Sequence, residues 1–155
     1  MGRQDEGEKI VASNRRARHD YELLEHFECG IQLTGDEVKS LREGRASLVD
    51  CYGRVRGSEV WLEGLHIPPY EQGDKRAHLP LRPRKLLLHR REIDQIAREV
   101  NEKGLSLVPL RIYFTHGIAK VEVALARGKR KYEKRQSIAK REAQREMERA
   151  AGRRR

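Results

Sequence analysis

The chain has 155 residues, 37% hydrophobic and 37% charged, a length that fits one domain with a tail. The apolar share is low for a globular domain but too high for a wholly disordered chain. Lys and Arg number 34 against 24 Asp and Glu, a net charge of +10, so an acidic polymer is the first partner to consider. No apolar run exceeds four residues, which argues against a membrane span and a secretory signal. Cys29 and Cys51 are too few for a disulfide scaffold and lack zinc-ligand spacing. The expectation is a cytoplasmic protein.

Residues 1–13 show no sustained periodicity and read as a flexible N-terminal arm. Between Tyr21 and Leu33, the residues Tyr21, Leu23, Phe27, Cys29, Ile31 and Leu33 fall at odd positions, the two-residue period of a strand. Glu25 interrupts the alternation, which leaves one bent strand or two short ones. Thr34 followed by Glu37 is a capping box; Val38 and Leu41 share a face and Gly44 suits the C-terminal cap, so a helix is expected over about 36–43. Leu48–Arg56 and Glu59–Ile67 read as strands around Gly57-Ser58. Pro68 to Arg84 holds four of the five prolines and reads as a long surface loop. Arg90–Lys103 is the main helix, with Ile93, Ile96, Ala97 and Val100 on one face. Ser106–Phe114 and Ile118–Ala126 are strands around Thr115-His116-Gly117. These elements predict a mainly β fold with helices, an OB-like closed antiparallel β-barrel of about six strands over residues 14–126 with a basic C-terminal tail.

Charge is divided unevenly along the chain. Residues 1–126 hold 21 basic and 20 acidic side chains, whereas 127–155 hold 13 and 4. The tail has one aromatic residue, Tyr132, and few large apolar ones, Ile138 and Met147, so it is expected to be disordered when free. Residues 134–150 are good helix formers, with Ala139, Ala143, Met147 and Ala151 as a thin stripe among Arg141, Arg145 and Arg149. An anionic groove suits such a helix.

The sequence has no phosphate-cradling Gly-rich loop, G-x-S-x-G, H-E-x-x-H or C-x-x-C. Binding is therefore expected rather than catalysis, with no cofactor or metal. Four basic clusters point to phosphate contacts: Arg15, Arg16, Arg18 and His19; Lys39, Arg42 and Arg45; Arg82, Arg84 and Lys85; Lys129, Arg130 and Lys131. Each taken alone also fits a solvated face. Tyr21 and Tyr132 lie beside positive charge, as base stacking requires, although Tyr21 equally suits packing. Glu28 stands among strand apolars, placed either to accept from a base edge or sugar hydroxyl or to face water. Competing readings are an RNA chaperone or accessory ribosomal protein, and a small nuclease using His19 or His89 with Glu28.

Six blocks resemble the SmpB family of tmRNA-binding (SsrA-binding) proteins: NRRARHDY (14–21), GIQLTGDEVKSLREGRASL (30–48), PYEQG (69–73), RPRKLLLHRREI (82–93), GLSLVPLRIYF (104–114) and ALARGKRKYEKR (124–135). The resemblance implies an OB-like barrel that is not catalytic. It would bind the tRNA-like domain of tmRNA as a monomer, one per RNA. With elongation factor Tu, bound indirectly through alanyl-tmRNA, it would reach stalled ribosomes. The tail would enter the empty mRNA channel beyond the decoding site of the small-subunit rRNA and become helical there. Residue by residue, Tyr21, Glu28 and Leu87 fall where the family contacts its RNA, with Arg84, Lys85 and His89 around Leu87. Lys129, Arg130 and Lys131 match the start of the basic tail, and Tyr132, Lys134 and Arg135 the block used at the decoding centre. Many members carry Trp where this chain has Ala143, so its tail helix would rest on Arg141, Arg145 and Arg149 with Ile138 and Met147.

Overall fold

The structure, a computed structural model, describes residues 8–73, 76, 78–129 and 131–153, with the backbone alone at 131–140 and 153. In chain order the elements are β1 (Glu8–Ser13), α1 (Ala17–Asp20), β2 (Tyr21–Ile31), α2 (Gly35–Arg42), β3 (Tyr52–Arg56), β4 (Glu59–Glu63), β5 (Arg84–Leu87), α3 (Arg90–Lys103), β6 (Ser106–Thr115), β7 (Ile118–Gly128) and α4 (Lys131–Arg153). All the strand pairings are antiparallel. The order β6-β3-β4-β5-β2-β7 returns to β6, so six strands make a closed ring, as the sequence led us to expect, while β1 pairs further along the free edge of β6.

Closure between β3 and β6 rests on a single pair, Gly53 with Leu107. Gly53 has no alternative there, since a Cβ would lie 2.6 Å from Leu107 Cδ2 and 2.9 Å from its Cβ. Inside the ring pack Phe27, Cys29, Ile31, Val60, Leu62, Leu86, Leu107, Ile112, Val121, Val123 and Leu125, capped by Leu41 of α2 and Ile96 of α3.

Four strands depart from the sequence reading. The arm expected over 1–13 includes a strand: β1 pairs with residues 111–115 of β6, and a bulge between Ile10 and Ala12 destroys the alternation that would have revealed it. Residues 1–7 lie outside the described part. The strand expected from Leu48 begins only at Tyr52, because Cys51 N–H donates to Leu48 O in a turn and Asp50 has φ 61°. The other partner, expected to reach Ile67, ends at Glu63, with an isolated bridge between Ser47 and His66 beyond it. The loop expected to end at Arg84 instead delivers a strand there, β5, whose four residues are too few to show a period.

The helices start and stop where their caps dictate. Thr34 Oγ1 accepts from Glu37 N–H and Glu37 Oε1 from Thr34 N–H, the reciprocal capping box at the head of α2. In α3, Ile96 is fully buried while Ile93 and Val100 pack against the core. The helix α4 covers the run of helix formers at 134–150, and Arg141–Gly152 are exposed throughout. Among the described residues no helix is long and apolar enough to cross a membrane.

Gly53→Ala is expected to cost about 1–3 kcal/mol, since Leu107 must leave its place in the core for the ring to close. A denaturant titration followed by Trp61 fluorescence measures it; an unchanged midpoint contradicts the packing argument.

Candidate nucleic-acid interface

The outward face of β2 is assembled by an irregularity. Pairing with β7 shifts between Leu23 and Glu25, so Leu24 is an extra residue. Strand side chains alternate, so one inserted residue turns everything beyond it to the opposite face. The odd positions therefore do not share a side. Phe27, Cys29 and Ile31 point into the ring. Tyr21 and Leu23 belong to a second cluster outside it, with Ala17, Val108, Leu110 and Ala126. Tyr21, His26, Glu28 and Gly30 thus line one outer wall.

At the far end of that wall Gly30 pairs with Leu87 of β5 on one side and Lys120 of β7 on the other. Leu87 is 45% exposed beside a glycine that presents no side chain. The structure therefore gathers Glu28 and Leu87, expected from sequence, with Lys120, which sequence reading missed because nothing in its own strand marks it out. His89, the residue before α3, is exposed nearby in the chain, and its N–H donates to Glu92 Oε1 at 3.2 Å.

At the near end, α1 carries a cationic group. Arg15, Arg16, Arg18 and His19 are exposed around Ala17, which is 2% exposed and plugs α1 onto the wall. His19 Nδ1 lies 2.9 Å from Asp20 Oδ1. The root of the tail is tied to the same turn: Lys129 N–H donates to Asp20 O at 3.0 Å, and Lys129 Nζ to Arg18 O at 3.1 Å. Lys129, the first residue of the basic run at the tail, is thus fixed beside the turn that carries Arg15–His19. A groove of about 1160 Å³ is lined by Arg15, Arg16 and Tyr21 together with the exposed Val49 and Tyr52.

The basic residues on α2 and at the end of the proline loop are engaged within the fold. Glu37 is 1% exposed, and its Oε1 accepts from Arg82 Nη2 at 2.5 Å while Oε2 accepts from Arg84 Nε at 2.6 Å. Arg84 also donates from Nη1 to Leu65 O at 2.6 Å and from Nη2 to Pro80 O at 3.2 Å. The expectation that Arg84 touches RNA is therefore corrected: it is fully buried with all its nitrogens spoken for, and it anchors β5 and the proline loop to α2. Burial draws its pKa below the ordinary guanidinium value, against the pull of Glu37. Burial also works to raise the Glu37 pKa, but the Thr34 N–H and the two guanidinium groups outweigh it and hold that carboxyl below its usual range.

The rest of the loop is held by the same helix. Ser40 Oγ donates to Pro68 O at 2.9 Å, Lys39 Nζ stands 5.4 Å from the centre of the Tyr70 ring, and Gly73 lies against Asp36. Lys85 pairs with Glu59 at 2.7 Å, and Arg42 lies over Phe114 at 5.9 Å. Arg82 and Lys85 keep part of their side chains outside, each 32% exposed, while Arg84 keeps none. Of the tail residues, Arg141, Arg145, Met147 and Arg149 are exposed on α4; the side chains of Lys131, Tyr132, Lys134, Arg135 and Ile138, and all of Arg130, lie outside the described part.

Among the described residues, no three His, Cys, Asp or Glu side chains gather as a metal site would require. Cys29 and Cys51 are free, and burial pushes each thiol up to about 12, which keeps them protonated and unreactive.

The profile of the SmpB protein family matches residues 11–153. The chain belongs to the SmpB family. It is 59% identical over 150 residues to an SsrA-binding protein of Salinispora arenicola, covering 97% of this chain and 94% of that one. It is 58% identical over 155 residues to the SsrA-binding protein of Thermobifida fusca, covering 99% and 97%. Among solved structures it resembles a chain of "tmRNA-SmpB: a journey to the center of the bacterial ribosome", with TM-score 0.64 and 53% identity over 79% of this chain and 86% of that one.

Glu37→Gln is expected to cost about 3 kcal/mol or more, because two guanidinium groups lose their countercharge and one of them is fully buried. Since the folded carboxyl titrates below its unfolded value, its contribution is complete above about pH 4.3, the usual glutamate pKa, and fades as pH falls through the lower folded value. Thermal melts at pH 7 and pH 3 check this: the gap between parent and variant should narrow in acid, and a constant gap contradicts the ion-pair account.

Proposed function

We propose that this chain binds the tRNA-like domain of tmRNA and escorts it to stalled ribosomes in the cytoplasm, for trans-translation. One observation carries the reading: the inserted Leu24 puts Tyr21, His26, Glu28 and Gly30 on one outer wall, flanked by Leu87 and Lys120 and ending at the cationic turn Arg15–His19. Such a wall has the parts that folded RNA requires. Arginines neutralise phosphates, Glu28 accepts from base or sugar donors, and Leu87 offers an apolar contact to an unstacked base. The relatives named SsrA-binding protein and the tmRNA–SmpB neighbour support this choice of RNA. No step in it calls for catalysis, and elongation factor Tu enters through the aminoacyl end of the same RNA.

The tail acts separately from this wall. Residues 127–155 carry 13 basic against 4 acidic side chains, and Arg141–Gly152 bury no face. A helix without a packed face draws its stability from propensity alone and is marginal in water. The tail thus gains a lasting helix only where an anionic corridor surrounds it. An mRNA channel left empty downstream of the decoding site is such a corridor, and mRNA and tail compete for its volume. Lys129, tied to α1, fixes where the tail starts.

Because β7 runs to Gly128 and Lys129 is tied to α1, the tail is best removed by ending the chain after Lys129. This truncation is expected to keep tmRNA affinity within a few-fold and to abolish peptide tagging on stalled ribosomes. Tagging that persists refutes the role given to the tail, and a full chain that prefers bulk tRNA at equal salt refutes the choice of RNA. In the absence of RNA, the far-UV circular dichroism lost on truncation should fall well short of that of a complete 23-residue helix; a full-sized loss contradicts the ordering step.

A further inference from the structure

The outer wall carries a polar network whose open end is Glu28. Tyr113 of β6 reaches across β7, and its Oη donates to Glu28 Oε2 on β2. Arg111 lies over the Tyr113 ring, 4.2 Å from its centre. Arg111 in turn donates to Glu8 Oε1 at 2.6 Å and to Glu122 Oε1 at 2.8 Å, and Glu122 Oε2 lies 3.1 Å from His26 Nδ1. Four strands thus contribute to one chain of contacts that ends on a single carboxylate.

Glu28 differs from the other two glutamates in that chain. Glu8 and Glu122 are each matched by the Arg111 guanidinium. Glu28 meets a neutral phenol, and among the described residues no cation pairs with it. Tyr113 is 2% exposed, and burial together with the Glu28 carboxylate pushes its pKa well above the ordinary phenol value, so it remains a donor. A carboxylate held through one lone pair by a neutral donor keeps its charge and its remaining lone pairs for an incoming N–H or O–H. An exposed glutamate without such a hold would also lose rotamer freedom on binding; here that loss is taken in the unbound protein.

We infer that Tyr113 is a positioning residue for RNA recognition: its hydroxyl holds the Glu28 carboxylate in the pose that accepts from a donor of the folded RNA, and Arg111 fixes the Tyr113 ring. The inference rests on Glu28 being an RNA contact, as proposed above. It also gives work to a tyrosine that packing alone does not explain, because a phenylalanine would fill the same space.

The test uses the full-length protein, with the tRNA-like domain of tmRNA as probe and bulk tRNA as competitor, over a series of salt concentrations. Glu28→Gln is expected to weaken binding on the order of tenfold or more, and Tyr113→Phe about threefold to tenfold. The double variant should bind no more weakly than Glu28→Gln alone, since the hydroxyl acts only through the carboxylate. The slope of log K against log salt should stay that of the parent in all three, because no phosphate contact is lost. A general loss of structure would instead change the slope and depress binding of bulk tRNA equally. Thermal melts set a temperature at which every variant is folded. Tyr113→Phe binding like the parent while Glu28→Gln is weakened overturns the inference, as does a double variant in which the two losses multiply. If Glu28→Gln itself binds like the parent, the carboxylate is no contact, and the reading beneath the inference falls with it.

Discussion

Strand geometry allows no gradual adjustment of which side chains face out, so the single inserted residue in β2 has consequences out of proportion to its size. With Leu24 looped out, Tyr21 and Leu23 pack on the outside beneath α1, while Phe27, Cys29 and Ile31 fill the ring. The outer wall gains a continuous row from Tyr21 through His26 and Glu28 to Gly30. Without the insertion, either Tyr21 would turn inward and α1 would lose its seat, or Glu28 would point into an apolar core at a prohibitive desolvation cost. The outer wall and the tail root both depend on that shift, because α1 joins them through Ala17 and the carbonyls of Arg18 and Asp20.

A second constraint governs the other end of the wall. A strand of four residues cannot hold its place by ladder bonds alone, and β5 presents Leu87 beside Gly30 only because its first residue, Arg84, is locked to Glu37. The same carboxylate closes the capping box of α2 and restrains Arg82. One buried acid thus sets a helix start, a strand start and the end of a long loop. The Thr34 N–H and the two arginines together satisfy it so fully that burial, which by itself favours the protonated acid, is overridden. This is structural use of positive charge in a chain whose excess of positive charge first suggests phosphate binding.

That distinction marks where the sequence was legible and where it was not. Patterns completed within a few residues were readable: the Thr34–Glu37 box, the apolar face of Arg90–Lys103 and the alternation of β7 all led to the elements found. A closed barrel was expected from about six short strands, because closure removes free edges, with the family resemblance in support. Features that need a distant partner were not readable. Arg84 looks like its neighbours Arg82 and Lys85 until Glu37, 47 residues away, is brought beside it. Strand β1 has a bulge of its own and shows no period, and β5 is too short for one. Lys120, Arg111, Tyr113 and Glu122 acquire meaning only from the register of β6, β7 and β2, which no local pattern encodes. Glu25 was a visible interruption, yet whether it marked one bent strand or two short ones, and hence which face Tyr21 took, was settled only by pairing with β7.

The partition of charge fits these constraints into one physical scheme. Residues 1–126 are nearly neutral, with 21 basic and 20 acidic side chains, and many of those are consumed in pairs such as Arg84–Glu37, Lys85–Glu59 and Arg111–Glu122. A body of that kind has little long-range pull on nucleic acid in general, so under the function proposed above discrimination falls to the placement of a few groups, Glu28, Leu87 and the α1 arginines. The tail holds most of the excess charge and presents Arg141–Gly152 without a packed face, which favours attraction without discrimination. Each half lacks what the other supplies. A body bearing the tail's charge would bind RNA of any shape, and a tail folded into the body could not sample a distant channel. Tying Lys129 to α1 fixes the start of the tail beside the outer wall.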